Sequence, residues 1–127
     1  MTLPLTVPTM QNLPREQRIA KRRDFLAIYE TGRKDFGRHS VLFVRPNELG
    51  HPRLGITVTK KAGKAHVRNR LRRWCREVFR TMRTAAGLDP LGIDLVINVK
   101  PSAASATFAE FSADLTRLLR RSAGSRP

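Results

Sequence analysis

The sequence predicts a single α+β domain, a small, mostly four-stranded sheet packed with three helices in the order α-β-β-β-α-β-α. Three observations carry this reading. Residues 53–60 and 92–100 alternate apolar and polar side chains with the period of a strand, residues 67–82 repeat apolar side chains with the period of a helix, and Thr107-Phe-Ala-Glu110 has the reciprocal spacing of a capping box. With 127 residues and 40% hydrophobic content, the chain suits one core, since typical domains run to roughly 100–150 residues.

In chain order, residues 1–17 read as a disordered lead-in, because Pro4, Pro8 and Pro14 interrupt regular structure and little there can be buried. The same stretch lacks a basic start and a continuous apolar run, so it is not a signal peptide. A single α+β domain is expected over residues 18–121. Residues 18–30 are predicted as a helix stopped by Thr31-Gly32. Its approach is basic (Arg15, Arg18, Lys21, Arg22, Arg23), and Phe25 and Tyr29 share one face at i,i+4. Spacing alone leaves two readings for these aromatics, core residues or exposed platforms. Residues 33–36 suit a short strand and 39–45 a buried one, ended by Pro46-Asn47. Residues 53–60 then place Leu54, Ile56 and Val58 on one face and Gly55, Thr57 and Thr59 on the other. That polar face runs into Lys60 and Lys61 and could border a ligand groove. A long basic helix follows and closes near Gly87. In residues 92–100, Ile93, Leu95, Ile97 and Val99 point one way and Asp94, Val96, Asn98 and Lys100 the other. The last helix, with the stripe Phe108, Phe111, Leu115, Leu118 and Leu119, runs to about Arg121, leaving residues 122–127 as a frayed tail.

Charge points to the partner. The formal net charge is +15 and the pI about 11.7, which calls for a polyanion. Residues 60–83 concentrate this, with ten basic residues against one acid, Glu77. On a helix, Val67, Leu71, Trp74, Cys75, Val78 and Met82 form the sector to be buried. Asn69, Arg72, Arg73, Arg76, Arg80 and Arg83 form the opposite one, flanked by Arg68 and Arg70. A merely solvated face would alternate signs, yet only Glu77 is available to partner Arg73 and Arg80. Cations at the helix start also oppose the macrodipole, and no Ser, Thr or Asp stands as an N-cap. A phosphate held by the backbone N–H groups after Gly63 and by Lys60, Lys61 and Lys64 would relieve both defects. Nucleic acid suits this arginine-dominated surface better than a membrane, because the apolar stripes are needed for the core. No stretch reaches the roughly 18 apolar residues of a spanning helix.

Catalysis by the chain's own side chains is not expected. The ten acids are scattered, His39, His51 and His66 lie in three different segments, and hard metal cations need several converging oxygen ligands. Residues 63–65 lack the rest of a P-loop. Cys75, the single cysteine, reads as a small buried hydrophobe in a reducing, cytoplasmic setting.

The run Val58-Thr-Lys-Lys-Ala-Gly-Lys-Ala-His-Val-Arg-Asn-Arg-Leu-Arg-Arg-Trp-Cys-Arg-Glu closely resembles the protein subunit of bacterial ribonuclease P, whose hallmark is Lys-Lys-x-Gly-x-Ala-x-x-Arg-Asn-Arg followed by spaced basic residues. The likeness extends to Asp24-Phe25, Tyr29, Gly32, Val41-Leu42-Phe43, Arg53-Leu54-Gly55, Gly92-Ile93-Asp94 and the final helix, about residues 18–121 in all. The resemblance implies that a partner RNA performs catalysis with the magnesium ions it mainly binds itself, freeing the 5′ leader from precursor tRNA, with one protein per catalytic RNA. It further implies that Lys60, Lys61, Lys64, Arg68, Asn69, Arg70, Arg72, Arg73, Arg76 and Arg80 meet RNA. A cleft with Phe25, Tyr29, Phe43, Thr57 and Thr59 would receive the leader, and the crossover through the basic helix would be left-handed, against the usual rule. A ribosomal RNA-binding protein and a self-sufficient nuclease are the competing classes.

Overall fold

The computed structural model describes residues 14–88 and 91–124. Seven main elements follow in order: α1 (Arg22–Thr31), β1 (Arg33–Phe36), β2 (Ser40–Pro46), β3 (Arg53–Val58), α2 (Ala65–Ala85), β4 (Ile93–Val99) and α3 (Phe108–Gly124). Single-turn 3-10 helices cover Arg15–Gln17 and Lys60–Ala62, and a longer one Pro101–Ser105. The predicted element order holds. Most of the predicted lead-in, residues 1–13, lies outside the described residues.

The strands form one mixed sheet in the order β1-β2-β4-β3. β4, the last strand in sequence, pairs antiparallel with β2 (Leu42 opposite Ile97) and parallel with β3 (Ile56 opposite Ile97). α2 therefore makes the crossover between parallel neighbours. Alternation sorts the two faces. Leu42, Val44, Leu54, Val58, Ile93, Leu95, Ile97 and Val99 pack with α2 and α3 in the main core. On the opposite face Phe43 and Val96 join Ile19 and Ile28 in a smaller core, with Phe25 and Tyr29 of α1 packed against it.

Helix ends follow local chemistry. Gly87, at φ +77°, closes α2 with Gly87 N–H donating to the Thr84 carbonyl at 3.1 Å and Leu88 N–H to that of Arg83 at 2.7 Å. A side chain at that φ would be strained. α3 begins in the predicted capping box: the Glu110 N–H donates to Thr107 Oγ1 at 3.1 Å and the Thr107 N–H to Glu110 Oε1 at 2.9 Å. These hydrogen bonds hold the exposed Glu110 carboxyl below its ordinary pKa.

Three predicted boundaries and one predicted stripe shift for tertiary reasons. Residues 18–21 are not helical: Arg18 forms a parallel bridge with Leu54, and the Ile19 N–H donates to the Leu54 carbonyl at 2.9 Å. β3 is the sheet edge, and these residues cover part of it. The strand predicted over 53–60 ends at Val58, where Lys60–Ala62 form a separate turn, and the basic helix starts just after Gly63 as expected, at Ala65. α3 continues past Arg121, because Ser122 is fully buried with its hydroxyl donating to the Leu119 carbonyl at 2.7 Å. The rest of the predicted tail, residues 125–127, lies outside the described residues. In α3's stripe Phe108 stays 40% exposed and rests edge-on against Trp74, their centroids 5.5 Å apart.

Two buried carboxylates hold the fold at opposite ends. Asp114 of α3 accepts from the Arg38 and His39 amides at 2.8 and 2.9 Å, pinning the β1–β2 turn. Burial alone would raise the Asp114 carboxyl, but those amides and the Arg117 guanidinium keep it below the usual carboxylate range. Asp94 of β4 is fully buried and accepts two hydrogen bonds from Arg53, both 2.8 Å, and a third from Asn47 Nδ2 at 2.8 Å. Arg45 stands 3.6 Å away.

Candidate nucleic-acid interface

α2 divides as its periodicity predicts. Leu71, Cys75 and Val78 are buried, and Val67, Trp74 and Met82 pack against the same core. Phe79, outside the predicted stripe, is also buried, with the Arg83 guanidinium 5.3 Å over its ring. Burial pushes the Cys75 thiol well above its ordinary pKa, so it is an inert packing group.

The helix start has Lys64 at the N-cap with no side-chain cap bond and no acid in the first turn. Lys60, Lys61 and Lys64 are all exposed around it. Arg68 Nε donates to the Gly63 carbonyl at 3.2 Å, and Arg72 Nη1 to Asn69 Oδ1 at 2.9 Å. Arg73 and Asn69 are exposed. Arg70 turns to the other side of the helix, where it donates to the Ala104 carbonyl at 3.2 Å and lies 5.2 Å over the Trp74 ring. Arg80 makes a two-pronged pair with Glu77, at 2.6 and 3.3 Å. Exposed pairs of this kind contribute about 0–1 kcal/mol, so Arg80 is readily released to a phosphate.

Beside α2 opens a cleft of about 180 Å³ lined by Arg18, Phe25, Ile56, Arg72 and Arg76, among others. It joins cations from two elements to one aromatic ring. Arg76 is half-buried there, its Nε is buried without a hydrogen-bond partner, and desolvation lowers its pKa. An anion in the cleft would satisfy that donor and restore the lost solvation.

The rings continue from the cleft over the sheet. Phe25 and Tyr29 have centroids 6.4 Å apart, and Tyr29 meets Phe43 edge-on at 4.8 Å. Tyr29 donates its hydroxyl to Asn98 Oδ1 at 3.0 Å, and the Thr57 hydroxyl bonds the same oxygen. Phe43 is only 7% exposed, whereas Phe25 and Tyr29 are half-buried. Phe43 is thus a core ring with Tyr29 standing edge-on against it, and Phe25 lies beside Tyr29. Thr59 is exposed at the cap of the Lys60–Ala62 turn, apart from the Tyr29–Thr57–Asn98 group.

The ribonuclease P family pattern matches residues 13–123. The chain belongs to the ribonuclease P protein family. The ribonuclease P protein component of Syntrophus aciditrophicus is 39% identical over 109 residues, which are 86% of this chain and 89% of that protein. The RNase P protein of Staphylococcus aureus superposes with a TM-score of 0.76 at 32% identity, covering 84% of this chain and 94% of that one. For the RNase P protein of Thermotoga maritima the TM-score is 0.73 at 36% identity, with 82% and 96% covered.

Within this ribonuclease P fold, three site features escaped the sequence reading. Arg18 lines the cleft because its backbone bridges to β3. Asn98 anchors Tyr29, and only the pairing of β3 with β4 brings it beside Thr57. Gly55 lets Phe25 settle, since a Cβ there would stand 2.7 Å from Phe25 Cε1. A glycine inside an alternating strand was the available signal for that close approach. Among the described residues, no three His, Cys, Asp or Glu side chains are grouped to hold a metal ion. No helix among them is long and apolar enough to cross a membrane.

Proposed function

We propose that this chain, as the protein component of ribonuclease P, binds the catalytic RNA through α2 and its preceding lysines and holds the 5′ leader of precursor tRNA on the Phe25–Tyr29 face. It assists RNA-catalysed, magnesium-dependent removal of that leader in the cytoplasm, one protein per RNA, and the RNA carries the metal. The observation that supports this best is the cleft where Phe25 meets Arg18, Arg72 and Arg76. Ring stacking beside phosphate-binding cations is how single-stranded nucleic acid is held without sequence readout. Precursor tRNA processing at low magnesium, by protein alone, RNA alone and both together, tests the assignment. Activity is expected only with RNA present, and the protein should lower the magnesium requirement. Cleavage by RNA-free protein would refute it.

The basic face has its own measurement. If about 6–8 phosphates are neutralised, log affinity for the catalytic RNA should fall with log salt at a slope of roughly −4 to −7. Substituting Arg72, Arg73 and Arg76 together by Gln should flatten it. An unchanged slope would make these arginines merely solvated.

A further inference from the structure

Phe36 ends β1 with 66% of its surface exposed, and it belongs to neither core. Register shows which way it faces. Lys34 lies opposite Phe43 and Phe36 opposite Val41, and directly opposed residues share a face. The Lys34 ammonium stands 5.9 Å over the Phe43 ring, and Val41 packs with the smaller core. Asp35, between them, points to the other face and pairs with Arg121 of α3 at 3.3 Å. Phe36 and Lys34 therefore continue the row Phe25–Tyr29–Phe43 across the sheet to its outer strand. The diagonal from Phe43 to Phe36 is about 7–8 Å, within reach of neighbouring aromatic groups. The strand's only acid is turned away, and exposed Lys34 leaves this end of the face positive.

We infer that Phe36, with Lys34, is a further leader-binding platform that stacks a base lying beyond those held by Phe25 and Tyr29. This rests on the leader-binding reading of the α1 face and lengthens its track. The occupant is single-stranded RNA, because an unpartnered ring beside a cation and continuous with an aromatic row suits a base followed by its phosphate.

The test uses holoenzyme reconstituted with the catalytic RNA and precursor tRNAs whose leaders are lengthened one nucleotide at a time. Wild type and Phe36→Ala should bind leaderless and short-leader tRNA alike. On long leaders the variant should bind about 5-fold more weakly, the lower end of base–aromatic stacking, and Phe36→Tyr should restore the difference. An unmoved thermal midpoint is expected from so exposed a side chain and excludes misfolding as the cause. Equal affinities at every leader length, or an equal loss at every length, would overturn the inference while leaving the Phe25–Tyr29 cleft intact. Wild-type binding that ignores the leader altogether would remove both. If Phe36→Ala instead abolishes self-association of the free protein without changing leader affinity, the face is a contact between copies and the inference fails.

Discussion

Asp94→Ala should lower the free energy of unfolding by about 3–5 kcal/mol, the usual cost of removing one partner from a buried ion pair. The carboxylate is fully buried in the middle strand and takes both prongs of Arg53, with Asn47 on the same oxygen as Arg53 Nε and Arg45 nearby. Its hydrogen bond is the main reason Arg53 is held even more firmly protonated than usual. Without it, two guanidinium groups would lie on the sheet with no buried counter-charge, and Arg45 Nε already lacks a hydrogen-bond partner. Arg53 also reaches Asp24 in the first turn of α1, at 3.8 Å, so the loss should spread to the seating of that helix. Urea unfolding with an unchanged m-value should show the midpoint falling. A change within about 0.5 kcal/mol, the range of ordinary surface substitutions, would show that the cluster is not structural.

Phe25→Ala and Tyr29→Ala should each weaken holoenzyme binding of leader-bearing precursor by about 5- to 150-fold, the equivalent of roughly 1–3 kcal/mol of stacking per base, and leave leaderless tRNA unaffected. Phe43→Ala is a poor version of this experiment. That ring is almost wholly enclosed, and a core Phe→Ala change costs about 3–5 kcal/mol of stability, which would mimic lost binding. Tyr29→Phe separates the ring from its hydroxyl, keeping the platform while releasing Asn98 and Thr57. Should Phe25→Ala and Tyr29→Ala unfold the protein and weaken both tRNA forms alike, the rings are core and the leader assignment is wrong for them. Arg68→Ala with Arg70→Ala belongs to the other surface and should weaken assembly with the catalytic RNA whatever the leader.

Legibility in the sequence followed how local each cause was. α2, β4 and the capping box of α3 are written in periods and spacings of a few residues, and the structure reproduces them. Arg18 and Ile19 looked helical because the acceptor of the Ile19 N–H, the Leu54 carbonyl, is remote in sequence. Asp94 read as one more polar residue on the second face of its strand. Its role depends on Arg45, Asn47 and Arg53 arriving from elsewhere in the chain. Phe79 lies at the edge of the apolar sector, and the covering side chain of Arg83 completes its burial. For the candidate interface, charge density singled out α2, but sequence could not show that Arg70 turns away while Arg72 and Arg76 line the cleft with Phe25.

The position of β4 also governs the order in which the molecule can assemble during synthesis. The β1–β2 hairpin can close as soon as its residues emerge, but β3 has no strand to join: its neighbour in the sheet is β4, and β2 and β3 do not touch through hydrogen bonds. Until Ile93–Val99 leaves the ribosome, β3 has only its bridge to Arg18, and the apolar sides of β2, β3 and α2 have no shared layer to close on. The strongly cationic α2 thus emerges before the strand that completes its own domain is free to pair.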